Sequence, residues 1–338
     1  MQVRQKCLRS VARRIIAEVA LAWMVWQALP AGNCFTQENV TRVTVTEQDD
    51  GFLFEESGSN ILLYRHRPVS KDGQFERANY VHPLYNLDGH PVTEDFPDDH
   101  LHHRGIFWAW HQVRVGNQSV GDGWMTTDFK WDVVATNVDE LAGGAARLSA
   151  KTNWLSPLIK SSAGDVLPIV EESLQITVHP KQENTRTMDF EVQLLAKLPQ
   201  VSIGGSDDEK GYGGFSLRFK TPKGFAIHAE SGLIEPILTA MDCGDWVDFS
   251  GSLGAAESFG GVAVMIHPAS AGYPNQWILR RESSMQNPVF PGRTPVEMSQ
   301  TIPVVMRYRL VLHRQVASKE SIRQWRNAYH QLKFTNEK

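Results

Sequence analysis

Gly105-Ile106-Phe107-Trp108-Ala109-Trp110-His111-Gln112-Val113-Arg114-Val115 reads as a β-strand. Successive side chains of a strand point to opposite faces. Ile106, Trp108 and Trp110 therefore share one face, and Phe107, Ala109 and His111 the other. The same texture recurs along the chain. Apolar or alternating runs cover 60–65, 78–85, 130–136, 146–153, 169–178, 187–198, 214–219, 225–228, 261–267 and 302–313, with Val43, Val45, Phe52 and Phe54 alternating before them. Clusters of Gly, Asp, Ser and Pro separate the runs. More than ten strands with almost no helix imply an all-β fold, a large antiparallel β-sandwich. One helix is expected at the end, capped by Ser318, with Ile322, Trp325, Tyr329 and Leu332 on one stripe.

Upstream of the opening strand stands Asp98-Asp99-His100-Leu101-His102-His103-Arg104. Six of the twelve histidines lie between His82 and His111. Packing does not call for that density, and imidazole is the usual group for proton transfer or metal ligation near neutral pH. In an extended segment His100 and His102 share a face and His103 takes the other. His100 and His102 could then chelate one first-row transition metal, with Asp98 or Asp99 adding an oxygen. Arg104 beside them weighs against a divalent cation. The competing reading needs no cofactor: His102 and His103, with Arg104, do acid–base work or recognise sugar hydroxyls. A structural hydrogen-bonded knot is the third.

Other candidates follow along the chain. Glu171 and Glu172 open a strand and put one carboxylate on each face. His82, Asp99, Asp122, Asp245, His267 and Tyr273 offer polar contacts, and Trp108, Trp110, Trp124 and Trp246 offer flat faces on which a sugar ring stacks. The net charge of −4 and the absence of a long basic run after residue 40 argue against nucleic acid as the main partner. Residues 1–36 are basic, then apolar, then small, the layout of a secretory signal or an N-terminal anchor. The expectation is an exported protein, periplasmic or extracellular, with one domain over 37–338 and no membrane span in its mature part. The oligomeric state stays open. Cys7 and Cys34 fall in the leader, so Cys243 has no internal partner.

Several segments together resemble the PmoA-like family, soluble bacterial proteins carried under the label methane oxygenase. They are Tyr80-Val-His-Pro-Leu-Tyr85, Asp99-His-Leu-His-His-Arg-Gly105, Gly213-Gly-Phe-Ser-Leu-Arg218, Asp245-Trp-Val-Asp-Phe-Ser-Gly251 and Gly261–Pro268, with Tyr273-Pro and Trp277. The family usually has Pro where Leu101 stands. The resemblance implies a galactose-mutarotase-like supersandwich and carbohydrate chemistry, with His102 or His103 and Glu171 or Glu172 as acid and base. The expected function is an exported carbohydrate-active enzyme of epimerase, lyase or hydrolase type, acting on a small-molecule or oligosaccharide ligand. The alternatives are a metal-dependent enzyme such as an oxygenase, and a non-catalytic sugar-binding protein.

Overall fold

A computed structural model describes residues 41–221, 224–253, 259–282 and 284–334. Residues 41–338 cluster as one compact unit. The expected leader, residues 1–36, with Cys7 and Cys34, lies outside the described residues.

Two large antiparallel sheets form the body. One has nine strands in the order Lys130–Glu140, Ala146–Lys160, Val166–Val178, Thr185–Ala196, Val304–Arg314, Gly260–Ile266, Trp246–Gly251, Ala226–Ala229 and Gly232–Leu233. The other has six, in the order Val43–Gln48, Gly51–Glu56, Ser59–Arg65, Tyr80–Leu84, Ile106–Trp110 and Gly213–Leu217. Strand Thr185–Ala196 shows why the sheets face each other. Its side chains alternate strictly between partly and fully buried, with Met188, Phe190, Val192 and Leu194 on the inner face. The rings of Phe190 and Phe215 meet across the gap with centroids 5.4 Å apart, and Phe215 stacks on Tyr308 at 4.3 Å. Burying such rings against one another is the main favourable term of folding.

Central strands of the larger sheet are buried on both faces. Trp246, Ala263, Met265 and Val311 form a second apolar layer beneath the helix Lys319–His330, packed against its Ile322 and Tyr329. Ser318 caps the helix by accepting from the Ser321 N–H at 3.1 Å. The expected stripe holds for Ile322, Trp325 and Tyr329. Leu332 lies beyond the helix end and is exposed.

A four-stranded sheet, Val296–Glu297, Val201–Gly204, Gln112–Val115 and Gln118–Gly121, turns away at one end. The opening strand is thereby divided. Ile106–Trp110 belongs to the six-stranded sheet, Gln112–Val115 to the four-stranded one, and His111 sits at the bend. The short hairpin of Val69–Lys71 and Gln74–Arg77 is a further pair without a sequence signal, because its strands are too short for a period to show.

Gly105 links the histidine stretch to the sheet. A Cβ there would collide with the Val81 carbonyl oxygen and lie 2.9 Å from the His82 Cβ. The Gly105 carbonyl accepts from the Arg218 N–H at 2.7 Å. Gly105→Ala should cost about 3 kcal/mol, the upper range for overpacking against backbone, read as a lowered urea midpoint.

Candidate active site

The histidine stretch is not extended. The His100 N–H donates to the Pro97 carbonyl at 3.0 Å, and the His103 N–H to the His100 carbonyl at 2.8 Å. Two successive turns result, as Pro97 and the Asp98-Asp99 pair favour. The face assignment drawn from an extended segment is therefore wrong, and all three rings gather. His100 stacks on His103 at 4.5 Å and 4°, while His102 meets His103 edge-on at 4.6 Å and His100 at 5.7 Å.

Arg218 organises this turn and carried no weight in the sequence reading. It is 2% exposed. Its guanidinium donates to Glu94 Oε2 at 2.9 Å, to Asp99 Oδ1 at 2.7 Å and to His103 Nδ1 at 3.3 Å. A cation that donates to Nδ1 leaves His103 neutral, with its proton on Nε2. Burial first, then His102, His100 and Arg218, hold His103 far below the ordinary imidazole range. His102 is pushed down to about 4, by burial and then by His100 and Arg77. Asp99 also accepts from His100 Nδ1 at 2.8 Å. Burial pushes its carboxyl up, but the His100 and Arg218 hydrogen bonds outweigh that and the net shift is down.

The far end of the strand carries a second group. His111 Nδ1 lies 2.9 Å from Asp122 Oδ2. Asp122 Oδ1 accepts from the backbone N–H groups of Trp124 and Met125, both at 2.9 Å, so the carboxylate is fixed before His111 meets it. Trp124 joins the two ends. Its ring stacks on His111 at 5.2 Å, stands edge-on to His103 at 6.2 Å and contacts Tyr212 at 5.6 Å. Phe107 lies between, 6.4 Å from His103 and 5.1 Å from Trp124. Phe107 points away from Trp108 on the strand, and the turn before the strand and the bend after it bring His103 and His111 against the same Trp124 ring.

The remaining candidates divide plainly. His82 Nδ1 lies 3.0 Å from Thr93 Oγ1, which already accepts from the Leu84 N–H. Burial pushes His82 down to about 4. Arg104 is fully buried and clamps backbone, donating to Asp95 at 3.1 Å, to the Val69 carbonyl at 3.2 Å and to the Phe75 carbonyl, with Phe96 3.3 Å away. It holds loops together and has no open side for a substrate. Trp108 and Trp110 are each 1% exposed. They donate to Glu172 and to the Phe290 carbonyl, so they offer no free face to a sugar. Trp246 is buried under the C-terminal helix, and Trp124 is 2% exposed with its ring packed among Phe107, His111 and Tyr212, so neither offers the open face expected of it. Glu171 pairs with Lys197 at 3.2 Å on the partly exposed face.

Glu172 is fully buried between the sheets, apart from the histidine turn. Its Oε1 accepts from Asn79 at 2.7 Å and Trp108 at 2.6 Å, and its Oε2 from Trp154 at 2.8 Å. Burial raises it to about 7 while the three donors pull it back. Asp245, His267 and Tyr273 form a separate group beside the C-terminal helix. Tyr273 donates to Asp245 at 2.9 Å, Asp245 lies 3.5 Å from Arg326, and His267 packs on Tyr329.

Arg77 is a second residue that sequence reasoning passed over. It is 1% exposed, lies 4.0 Å from the Trp131 ring and donates to the Gly123 carbonyl at 2.5 Å. Burial, then Arg104, push it down to about 9. The metal reading finds a poor donor set: among the described residues no three His, Cys, Asp or Glu are arranged to hold an ion. His100 gives Nδ1 to Asp99, and Arg77 and Arg218 add positive charge to the surroundings.

Residues 52–326 match the model of a family of unknown function, DUF6807. The chain belongs to that family. The match supports an uncharacterised family and gives no support to the PmoA label. No curated protein matches the chain. Among solved structures, the chain is similar to a candidate mutarotase, YeaD, of Salmonella typhimurium at 12% identity and a TM-score of 0.30, covering 81% of this chain and 94% of that one. A TPR-domain containing protein of Parabacteroides distasonis follows at 8% identity and a TM-score of 0.22, covering 88% and 55%. At these scores neither likeness bears on function.

The neutral His102 has a consequence for stability. The unfolded chain takes up its proton near pH 6.5, whereas the folded chain does so only near pH 4. Its contribution is complete above about pH 6.5 and is lost as pH falls toward 4. His102→Gln should lose less stability than the wild type between pH 7 and pH 4.5, measured as the shift of urea midpoint with pH.

Proposed function

We propose that this protein acts on a carbohydrate by proton transfer between His102 and the Asp122–His111 pair. The observation that carries the reading is that pair, prearranged by two backbone N–H groups and joined through Trp124 to the turn that holds the neutral His102 and His103. Asp122 takes Nδ1 of His111 and so sets Nε2 as the nitrogen that exchanges a proton with substrate. His102, neutral near pH 7, serves as the base. In an epimerase-type reaction His102 takes the proton from one face of a ring carbon and His111, entering the step with Nε2 protonated, delivers one to the opposite face of that carbon; one C–H bond breaks, one forms, and exchange with solvent restores both imidazoles. Asp99 and Glu94 beside the histidine turn and Tyr212 beside Trp124 complete the proposed sugar site, the bowl, with the acceptors and a hydroxyl donor that sugar hydroxyls require. The basic-then-apolar N-terminus supports export, so the substrate is met outside the cytoplasm.

The test is a panel of aldoses and methyl glycosides followed by proton NMR in deuterium oxide. The wild type should convert or exchange one of them. His111→Gln should lower that rate roughly 100-fold or more, with Asp122→Asn lowering it less, in keeping with the usual contribution of one acid–base group. An unchanged rate in His111→Gln sinks the assignment. Binding that quenches tryptophan fluorescence, without turnover of any panel member, would instead make the bowl a sugar-binding site.

A further inference from the structure

An apolar cleft of about 490 Å³ adjoins the bowl. Phe75, Phe129, Leu155, Pro157 and Val166 wall it, and Thr126 sits at its margin. Two segments are common to cleft and bowl. Phe75, from the short hairpin, has its ring 6.4 Å from that of His102. Thr126 follows directly on the turn in which Asp122 binds the Trp124 and Met125 N–H groups. Phe75 and Thr126 both hold left-handed backbone, at φ 52° and 61°, which bulky and β-branched residues rarely adopt. Their directions are thus set by the surrounding fold rather than by local preference.

We propose that this cleft is a subsite for the non-sugar part of the substrate, and that the substrate is a glycoside carrying a flat, apolar, aryl-type aglycone. The inference rests on the carbohydrate reading of the bowl. The volume falls within the roughly 300–1,000 Å³ of small-molecule sites. Two aromatic rings and three aliphatic side chains suit a planar ring. A second sugar would be poorly served. The Ser156 hydroxyl accepts from the Leu158 N–H at 3.1 Å, Glu76 and Lys130 at the rim lie 3.8 Å from each other, and Asp128 is the remaining charged group of the lining. The sugar would then lie over the histidine turn with its glycosidic oxygen toward Phe75 and His102.

Calorimetric titration of the full chain with phenyl and methyl β-D-glucopyranosides and galactopyranosides, and with phenol alone, tests the proposal. A phenyl glycoside should bind roughly tenfold tighter than its methyl counterpart. Val166→Asp changes a side chain that is 41% exposed, so the fold tolerates it. That variant should lose the phenyl preference and keep the methyl affinity. Equal affinities for phenyl and methyl forms, or a Val166→Asp variant that keeps the preference, overturn the subsite. If His111→Gln still abolishes turnover in that case, the sugar reading of the bowl survives alone. Phenol binding that Val166→Asp removes, with no glycoside bound more tightly than phenol, overturns the subsite and the sugar reading together.

Discussion

One buried carboxylate ties the two sheets together. Glu172 belongs to the nine-stranded sheet, and three N–H donors converge on it from Asn79, Trp108 and Trp154. Trp108 lies in the six-stranded sheet, and Asn79 precedes the strand Tyr80–Leu84 of that sheet while accepting from the Tyr64 hydroxyl at 2.8 Å. A buried carboxylate left without partners would be expensive, so this one fixes the register in which the sheets can meet. Every residue of the opening strand inherits that register. Trp108 must face the core to reach Glu172, and Phe107 is thereby turned to the other side, against Trp124.

The bowl itself is a case of charge held at the margin. Arg218 is buried with two carboxylates and an imidazole, and the histidines nearest the interior are neutral because burial and neighbouring cations disfavour a further positive charge. Charge-assisted hydrogen bonds of this kind are short and directional. They hold the turn rigid without a regular element beneath it. The Asp122–His111 pair is built by a different route, from a side chain braced on its own turn. Two independent devices thus present imidazole groups on either side of Trp124.

The strands were legible because their alternation is a local property. Thr185–Ala196 and Val304–Arg314 differ from the sequence reading only at their ends, as cross-strand pairing extends a strand past its apolar part. Asp245 and Trp246 were read as site residues, and the strand Trp246–Gly251 that follows went unread, since Asp248 is buried against His313 at 2.8 Å and so looks polar where the fold needs an interior position. The histidine turn was found as chemistry but drawn as extended. Its true form depends on backbone hydrogen bonds that spacing does not encode. Glu171 and Glu172 were correctly expected on opposite faces, but which one lies inside follows only from the sheet packing. Arg77 and Arg218 escaped notice because an arginine in a sequence reads as surface. Asp245, His267 and Tyr273 do cluster, yet against the C-terminal helix, a contact between segments distant in the chain.

The order of strands in the larger sheet bears on how the chain is made. Val304–Arg314 occupies its middle, between Thr185–Ala196 and Gly260–Ile266, although it is the last strand in the sequence. Until it leaves the ribosome, the sheet exists as two unjoined halves, each with an open edge. Pairing across such long sequence separation is slow, because loop closure precedes its reward. Unpaired edges at that stage are prone to join other chains. The nascent protein therefore has the longest wait of any part of its fold at its centre, and a chain cut short before residue 304 lacks the keystone as well as the helix that covers it.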